Sequence, residues 1–246
     1  MSDDFCYQPP TSPWLTIVHQ DEHLVIVDKP SGLLSVPGRL PCHFDSAALR
    51  LQRVYPQALA AHRLDMDTSG LLLFALGAAN QKPLGRQFEK RLIGKGYLAL
   101  VWGQPAAHAH IDLPLRCDWP NRPRQMVDHE QGKSAQTDMQ LLATNGEISL
   151  VALTPHTGRS HQLRVHMASI GHPIAGDRLY AGERWRAHTR LMLHAADLRL
   201  RHPEDGRWCQ WHSPLPAAMS DIIAALTPIN TTTCAAETVE AKCASS

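Results

Sequence analysis

Three short stretches of this 246-residue chain hold residue types that can do chemistry together. The first, His62-Arg63-Leu64-Asp65-Met66-Asp67-Thr68-Ser69-Gly70, sets a carboxylate just ahead of the apolar run Gly70–Leu76. A loop feeding a buried strand is rigidly placed, which suits a reactive carboxylate. The same letters also spell a charged turn in which Asp65 or Asp67 bonds local backbone. In the second stretch, Lys82 to Lys95, five basic residues face one acid, Glu89. Lys82, Arg86 and Lys90 recur every four positions and form one stripe on a helix, upstream of Tyr97. Such a stripe with an aromatic can hold phosphates and stack a base, or can be a solvated helix face. The third stretch runs from Thr157 to His166. On a helix His161 and Arg164 share a face, while Leu163 points elsewhere and the apolar members dock on the core. An arginine at that seam needs a carboxylate partner, and Asp65 is the candidate. Such a pair favours the charged form of a carboxylate. A surface arginine beside satisfied histidines is the plainer alternative.

The elements that position these groups follow from turns and periodicity. Thr16–His19 and Leu24–Asp28 predict a hairpin, and KPSGLLSVPG at Lys29–Gly38 an ordered surface loop. Asp45 or Ser46 caps a helix that runs through Val54, with Pro56 ending it. Gly70–Leu76 has the length and continuity of a buried central strand. Asn80 to Arg91 reads as a helix with Pro83 tolerable in its first turn, and Tyr97–Trp102 as a strand. Thr137–Thr144 and Ile148–Thr154 form a second hairpin across Asn145-Gly146. Ser160–Ile170 predicts an amphipathic helix closed by Gly171. Leu191–Leu200 and Arg207–Trp211 supply late strands, and Pro216–Leu226 a last helix. Mixed strands and helices without strict βαβ alternation predict an α+β fold: a largely antiparallel central sheet flanked by helices. The chain divides into an N-terminal extension (1–12), one catalytic-sized domain (13–226) and a disordered tail (227–246) rich in Thr, Ala and Ser.

Composition narrows the class. A net charge of +1, with 43% hydrophobic and 19% charged residues, describes a soluble globular protein and excludes a strongly basic coat. Residues Met1–Pro10 lack the apolar core of a signal peptide, and the apolar run Leu71–Leu76 is too short to span a bilayer. Six scattered cysteines without CxxC spacing read as free thiols of a reducing cytoplasm. None pairs with any of the 15 histidines at finger-like spacing, so no zinc site of local spacing is predicted, and only a site assembled from residues distant in sequence stays open.

Taken together, the stretches resemble one family, the RluA-type pseudouridine synthases. HRLDMDTSGLLLFA (62–75) is similar to their catalytic motif, and KRLIGKGYLALVWG (90–103) to their tyrosine motif. TGRSHQLRVHMASIGHPIAGDRLY (157–180) is similar to their arginine motif and its extension. The opening PWLTIVHQDEHLVIVDKPSGLLSVPGR (13–39) and CDWPNRPRQ (117–125) resemble the short, dual-specificity subgroup, which acts on large-subunit ribosomal RNA and the tRNA anticodon stem-loop. The chain begins too close to the catalytic motif to hold the S4-type RNA-binding domain of many members.

The resemblance implies the pseudouridine synthase catalytic fold and an enzyme that isomerises uridine within RNA, as a monomer without cofactor or metal. Asp65 is then the essential carboxylate, whether it attacks the sugar, attacks the ring or takes a sugar proton. Arg164 pairs with it. Tyr97 stacks on the uracil and is a candidate to remove the displaced ring proton. Leu163 encloses the base, Arg63 fills the space left by the flipped nucleotide, and His62 and His161 position. From charge, Lys82, Arg86, Lys90, Arg122 and Arg124 are assigned to phosphates. A catalytically silent RNA-binding or ribosome-assembly protein of the same fold is the alternative.

Overall fold

The computed structural model describes residues 7–229. The strands are β1 (Thr16–Gln20), β2 (Leu24–Lys29), β3 (Ala58–Ala60), β4 (Ser69–Leu76), β5 (Gly94–Trp102), β6 (His108–Asp112), β7 (Leu115–Cys117), β8 (Gln125–Val127), β9 (Gln136–Thr144), β10 (Ile148–Pro155), β11 (Leu193–Arg201), β12 (Trp208–His212) and β13 (Thr227–Pro228). The α-helices are α1 (Ala47–Gln52), α2 (Ala78–Glu89), α3 (Gln162–Ser169) and α4 (Ala217–Ile223). Eleven strands form one sheet in the order β1-β2-β4-β11-β5-β10-β9-β13, with β3 on β4, β12 on β11 and β6 on β9. Every pairing is antiparallel except β4 with β11. β7 and β8 make a separate small hairpin. The fold is α+β, as the mixed element order implies.

β4 explains why its sequence is apolar without alternation. All eight residues are buried. Leu72, Phe74 and Leu76 face α1 and Leu64, whereas Leu71, Leu73 and Ala75 face Leu84 of α2. A strand covered on both sides has no polar face to show. Further along the sheet, Leu163 and Met167 of α3 and Met219 of α4 close a third cluster over β5, β9 and β10.

Five local expectations change. α1 is capped by the Ser46 hydroxyl, which accepts from Leu49 N–H, and it ends at Gln52, leaving Val54 exposed. α2 starts at Ala78, so Pro83 is its sixth residue and interrupts the hydrogen-bond ladder to Ala79. The 29–38 loop is no surface loop, because Lys29, Leu33 and Ser35 are buried. α3 is not amphipathic: Gln162 through Met167 are all buried, between the main sheet and the β7–β8 hairpin. The tail is ordered at its start, where Thr227–Pro228 pair with β9 and Ile229 N–H donates to Leu142 O at 2.8 Å. Proline is at home on such an edge. The rest of the predicted tail, and residues 1–6 of the extension, lie outside the described residues. Among the described residues no helix is long and apolar enough to cross a membrane.

Candidate active site

Asp65 lies in the turn joining β3 to β4, and the 29–35 loop grips that turn on both sides of it. Ser35 Oγ donates to Leu64 O (2.7 Å) and accepts from Leu64 N–H (3.0 Å). Lys29 Nζ and Gly32 N–H both donate to Met66 O at 2.9 Å, and Ser31 Oγ donates to Asp67 O at 2.6 Å. Lys29 is fully buried, and its other two donors reach Pro30 O and Leu33 O. Three carbonyls match the three N–H bonds of an ammonium group. Burial nevertheless pushes its pKa down to about 7, against the pull of Asp67 and Asp65. Composition held no hint of this brace, since Pro and Gly read as surface. The available signal was a lysine ending the otherwise buried strand LVIVDK. Gly70, the second residue of β4, has φ 110°, and a Cβ there would stand 2.3 Å from Ala195 O, so only glycine lets β4 and β11 pair this closely.

Arg164 meets Asp65, as predicted, but as its weaker partner. The guanidinium donates from Nε and Nη2 to the two oxygens of Asp177, both at 2.8 Å, and from Nη1 to Asp65 Oδ2 at 3.5 Å. Burial opposes the charge of Arg164, but the hydrogen bonds and charge of Asp177, then of Asp65, outweigh it and push its pKa up. Asp177 carries no exposed surface and also accepts from Leu179 N–H and Tyr180 N–H. Gly176 before it, at φ 74°, would place a Cβ 1.8 Å from Arg190 O. Asp177 lies 13 residues from Arg164, beyond any helical spacing, so spacing alone does not pair the two.

His161 does not share a helical face with Arg164. It is the residue before α3, in a left-handed conformation (φ 53°). Tyr180 Oη accepts from Gln125 N–H at 2.7 Å and lies 2.8 Å from His161 Nδ1. The phenol proton is thus free to go to Nδ1, which leaves the imidazole proton on Nε2, 4.0 Å from Asp65 Oδ2. Burial lowers the His161 pKa, so the ring is neutral at pH 7.

Tyr97, on β5, is half-buried between the α1-side and α3-side clusters, the second of which includes Leu163. Burial, then the negative charge of Asp65, pushes its phenol up. The free protein therefore holds a neutral phenol, which suits stacking; removing a ring proton needs a phenolate that this site disfavours. Arg63 is exposed and makes no hydrogen bond or ion pair among the described residues, so its side chain is available to a ligand. His62 is tied to the scaffold: its Nε2 accepts from Leu73 N–H and its ring lies against Phe88. Burial, then Lys95, drops its pKa to about 3.

The basic residues sort differently from their order in sequence. Lys82, Arg86 and Lys90 lie on or just after α2, which packs on the face of β4 opposite Leu64. A groove of about 760 Å³ runs instead between the end of α2 and the β10–α3 loop, and Arg91, Lys95 and Arg159 line it. Lys95 joins this groove to the site, since it lies two residues before Tyr97 and its Nζ donates to Thr157 O at 3.3 Å. Arg124 stacks on Tyr180 and Arg122 on the exposed Trp119, both at the tip of the β7–β8 hairpin.

Known proteins match this chain in sequence and in fold. The family model described as RNA pseudouridylate synthase covers residues 23–169. The dual-specificity RNA pseudouridine synthase RluA of Escherichia coli (strain K12) is 53% identical over 211 residues, 85% of this chain and 96% of its own. That of Vibrio vulnificus (strain CMCP6) is 52% identical, over 80% of this chain and 82% of its own. Among solved structures, human RNA pseudouridylate synthase domain containing 1 superposes with a TM-score of 0.73 at 30% identity, covering 90% of this chain and 91% of that one. Sequence and fold agree, and the chain belongs to the RNA pseudouridylate synthase family.

Proposed function

We propose that this RNA pseudouridine synthase works through Asp65, with Arg164 and Tyr97 as the other catalytic residues. The carrying observation is the placement of Asp65: backbone clamped on both sides, carboxylate partly open, one guanidinium N–H facing it. The reaction breaks the uridine N1–C1′ bond, turns the ring and joins C5 to C1′. The C5 proton leaves and N1 gains one, so atoms balance without a co-reactant. A carboxylate beside C1′ serves each of the three routes open to it.

A stacked base cannot turn about its own sugar, so the nucleotide must leave the stack. Arg63 is free to occupy the gap, and Tyr97 with Leu163 offers an apolar and aromatic wall to the extruded ring. Arg164 is the positioning charge, locked by Asp177. His161 is a neutral donor beside Asp65, and His62 supports β4. Phosphates of a bent loop fit the groove of Arg91, Lys95 and Arg159 together with Arg122 and Arg124 on the hairpin. The substrates proposed are large-subunit ribosomal RNA and the tRNA anticodon stem-loop, supported by the dual-specificity relatives. The free thiols Cys42, Cys117 and Cys209 suit a reducing cytoplasm.

Tritium release from RNA labelled at uridine C5 tests the assignment. Purified Asp65→Ala should bind RNA yet release no tritium above background. Conversion at the normal rate by that variant overturns the role of Asp65. Mapping pseudouridines in total RNA with and without the protein then tests the two substrates separately.

A further inference from the structure

Among the described residues, the sheet brings together one cluster of ligating side chains that the pseudouridine chemistry does not use. His110 on β6 pairs in register with Asp138 on β9, and Asp138 with Thr154 on β10. His156 follows two residues after Thr154, so alternation brings it out on the same face. Its backbone N–H, bonded to Gln136 O at 2.9 Å, holds it there. One oxygen of Asp138 lies 2.6 Å from His110 Nδ1, and the other lies 2.6 Å from His156 Nε2. All three ligating atoms fall within 4.8 Å of one another, and all three residues are exposed.

We propose that His110, Asp138 and His156 bind a divalent transition-metal ion of the Zn²⁺, Ni²⁺ or Cu²⁺ class. Two imidazole nitrogens and one carboxylate are the donor set such ions prefer over Mg²⁺ or Ca²⁺. Ligand bonds of about 2.0–2.1 Å require the side chains to swing inward by about 1 Å, which exposed side chains can do. Three protein ligands leave coordination positions open to water, so the site is an accessible one. Spacing rules could not find it, because the residues stand 28 and 18 positions apart and meet only through strand register. The ion would sit beside the RNA groove, which His156 and Thr154 both line, and its charge there complements phosphate.

Calorimetric titration of the full chain with Zn²⁺ tests this, with Cu²⁺ electron paramagnetic resonance as the structural readout. One equivalent should bind at micromolar concentration. Affinity should weaken by about tenfold or more in His110→Ala and in His156→Ala. His108→Ala, on the same face of β6 but opposite Gln140, should leave it unchanged. The Cu²⁺ spectrum should show two nitrogen ligands in the wild type and one in each variant. Zn²⁺ should also raise the unfolding temperature of the wild type and not of His110→Ala/His156→Ala. These are exposed positions, so the variants should fold. Unchanged binding in the double variant, or none at micromolar Zn²⁺, overturns the site and leaves a hydrogen-bonded His–Asp–His cluster.

Discussion

Two turns converge on the guanidinium of Arg164, and they hold their carboxylates in opposite ways. In the turn after β10 and α3, Asp177 has no exposed surface and accepts from Arg164 Nε and Nη2, Leu179 N–H and Tyr180 N–H. Its side chain is saturated. In the turn before β4, saturation falls on the backbone instead: Leu64, Met66 and Asp67 are all held by the 29–35 loop. The Asp65 side chain stays 27% exposed, with Arg164 at 3.5 Å and His161 at 4.0 Å. A carboxylate that anchors is satisfied by its neighbours, whereas one that reacts must have its place fixed and its oxygens left for substrate.

Exchanging each aspartate for its amide separates the two roles most sharply. Asp65→Asn should cost on the order of 10⁴-fold in single-turnover rate while shifting stability by less than about 0.5 kcal/mol. Asp177→Asn should cost about 3–5 kcal/mol of stability, because it strands a buried guanidinium. Its activity should fall as well, through displaced Arg164. Urea unfolding alongside tritium release reads both axes. Equal losses of stability in the two variants would break the comparison.

The brace on the Asp65 turn should show itself through pH. Lys29 has a pKa of about 7 when folded and about 10.4 in an unfolded chain. Between those values the unfolded chain binds more protons, so stability rises with pH. The contribution is complete above the unfolded value and is lost as pH falls through about 7. Lys29→Met removes this titration and also the donors to Pro30, Leu33 and Met66. The stability difference, wild type minus variant, should therefore climb by at most about 1.4 kcal/mol per pH unit across that window. A flat difference would mean that Lys29 does not titrate there. The brace would then be held by the seryl hydroxyls and Gly32.

What the sequence discloses, and what it hides, follows the same division. The meeting of Asp65 with Arg164 is legible because each sits inside a contiguous motif. The β4 strand was legible because burial on both faces leaves an unbroken apolar run. Asp177, Lys29 and Ser35 also lie inside matched stretches, but their bracing roles stay hidden because their partners are distant in the chain or come from the backbone, and because polar residues beside Pro and Gly look solvated until packing encloses them. Helical spacing puts His161 on α3, but it cannot show a left-handed residue at the cap, which is where His161 stands. The start of the tail differs from its composition for a related reason: a two-residue edge strand owes its order to β9, not to any period of its own.

The smallest effect probes which face of the sheet meets RNA. Arg91 and Arg159 line the groove between the end of α2 and the β10–α3 loop, whereas Lys82 and Arg86 ride on the body of α2 and do not line it. Each phosphate that is no longer neutralised should flatten the dependence of log affinity on log salt by about 0.7–0.9. Arg91→Ala/Arg159→Ala should therefore flatten the slope by about one to two. Lys82→Ala/Arg86→Ala, an equal change in net charge, should leave it unaltered. Net charge cancels between the pairs, so only position can separate them. A matching response from the α2 pair would mean that RNA wraps the sheet edge, and that the basic stripe at four-residue spacing, not the groove, marks its path.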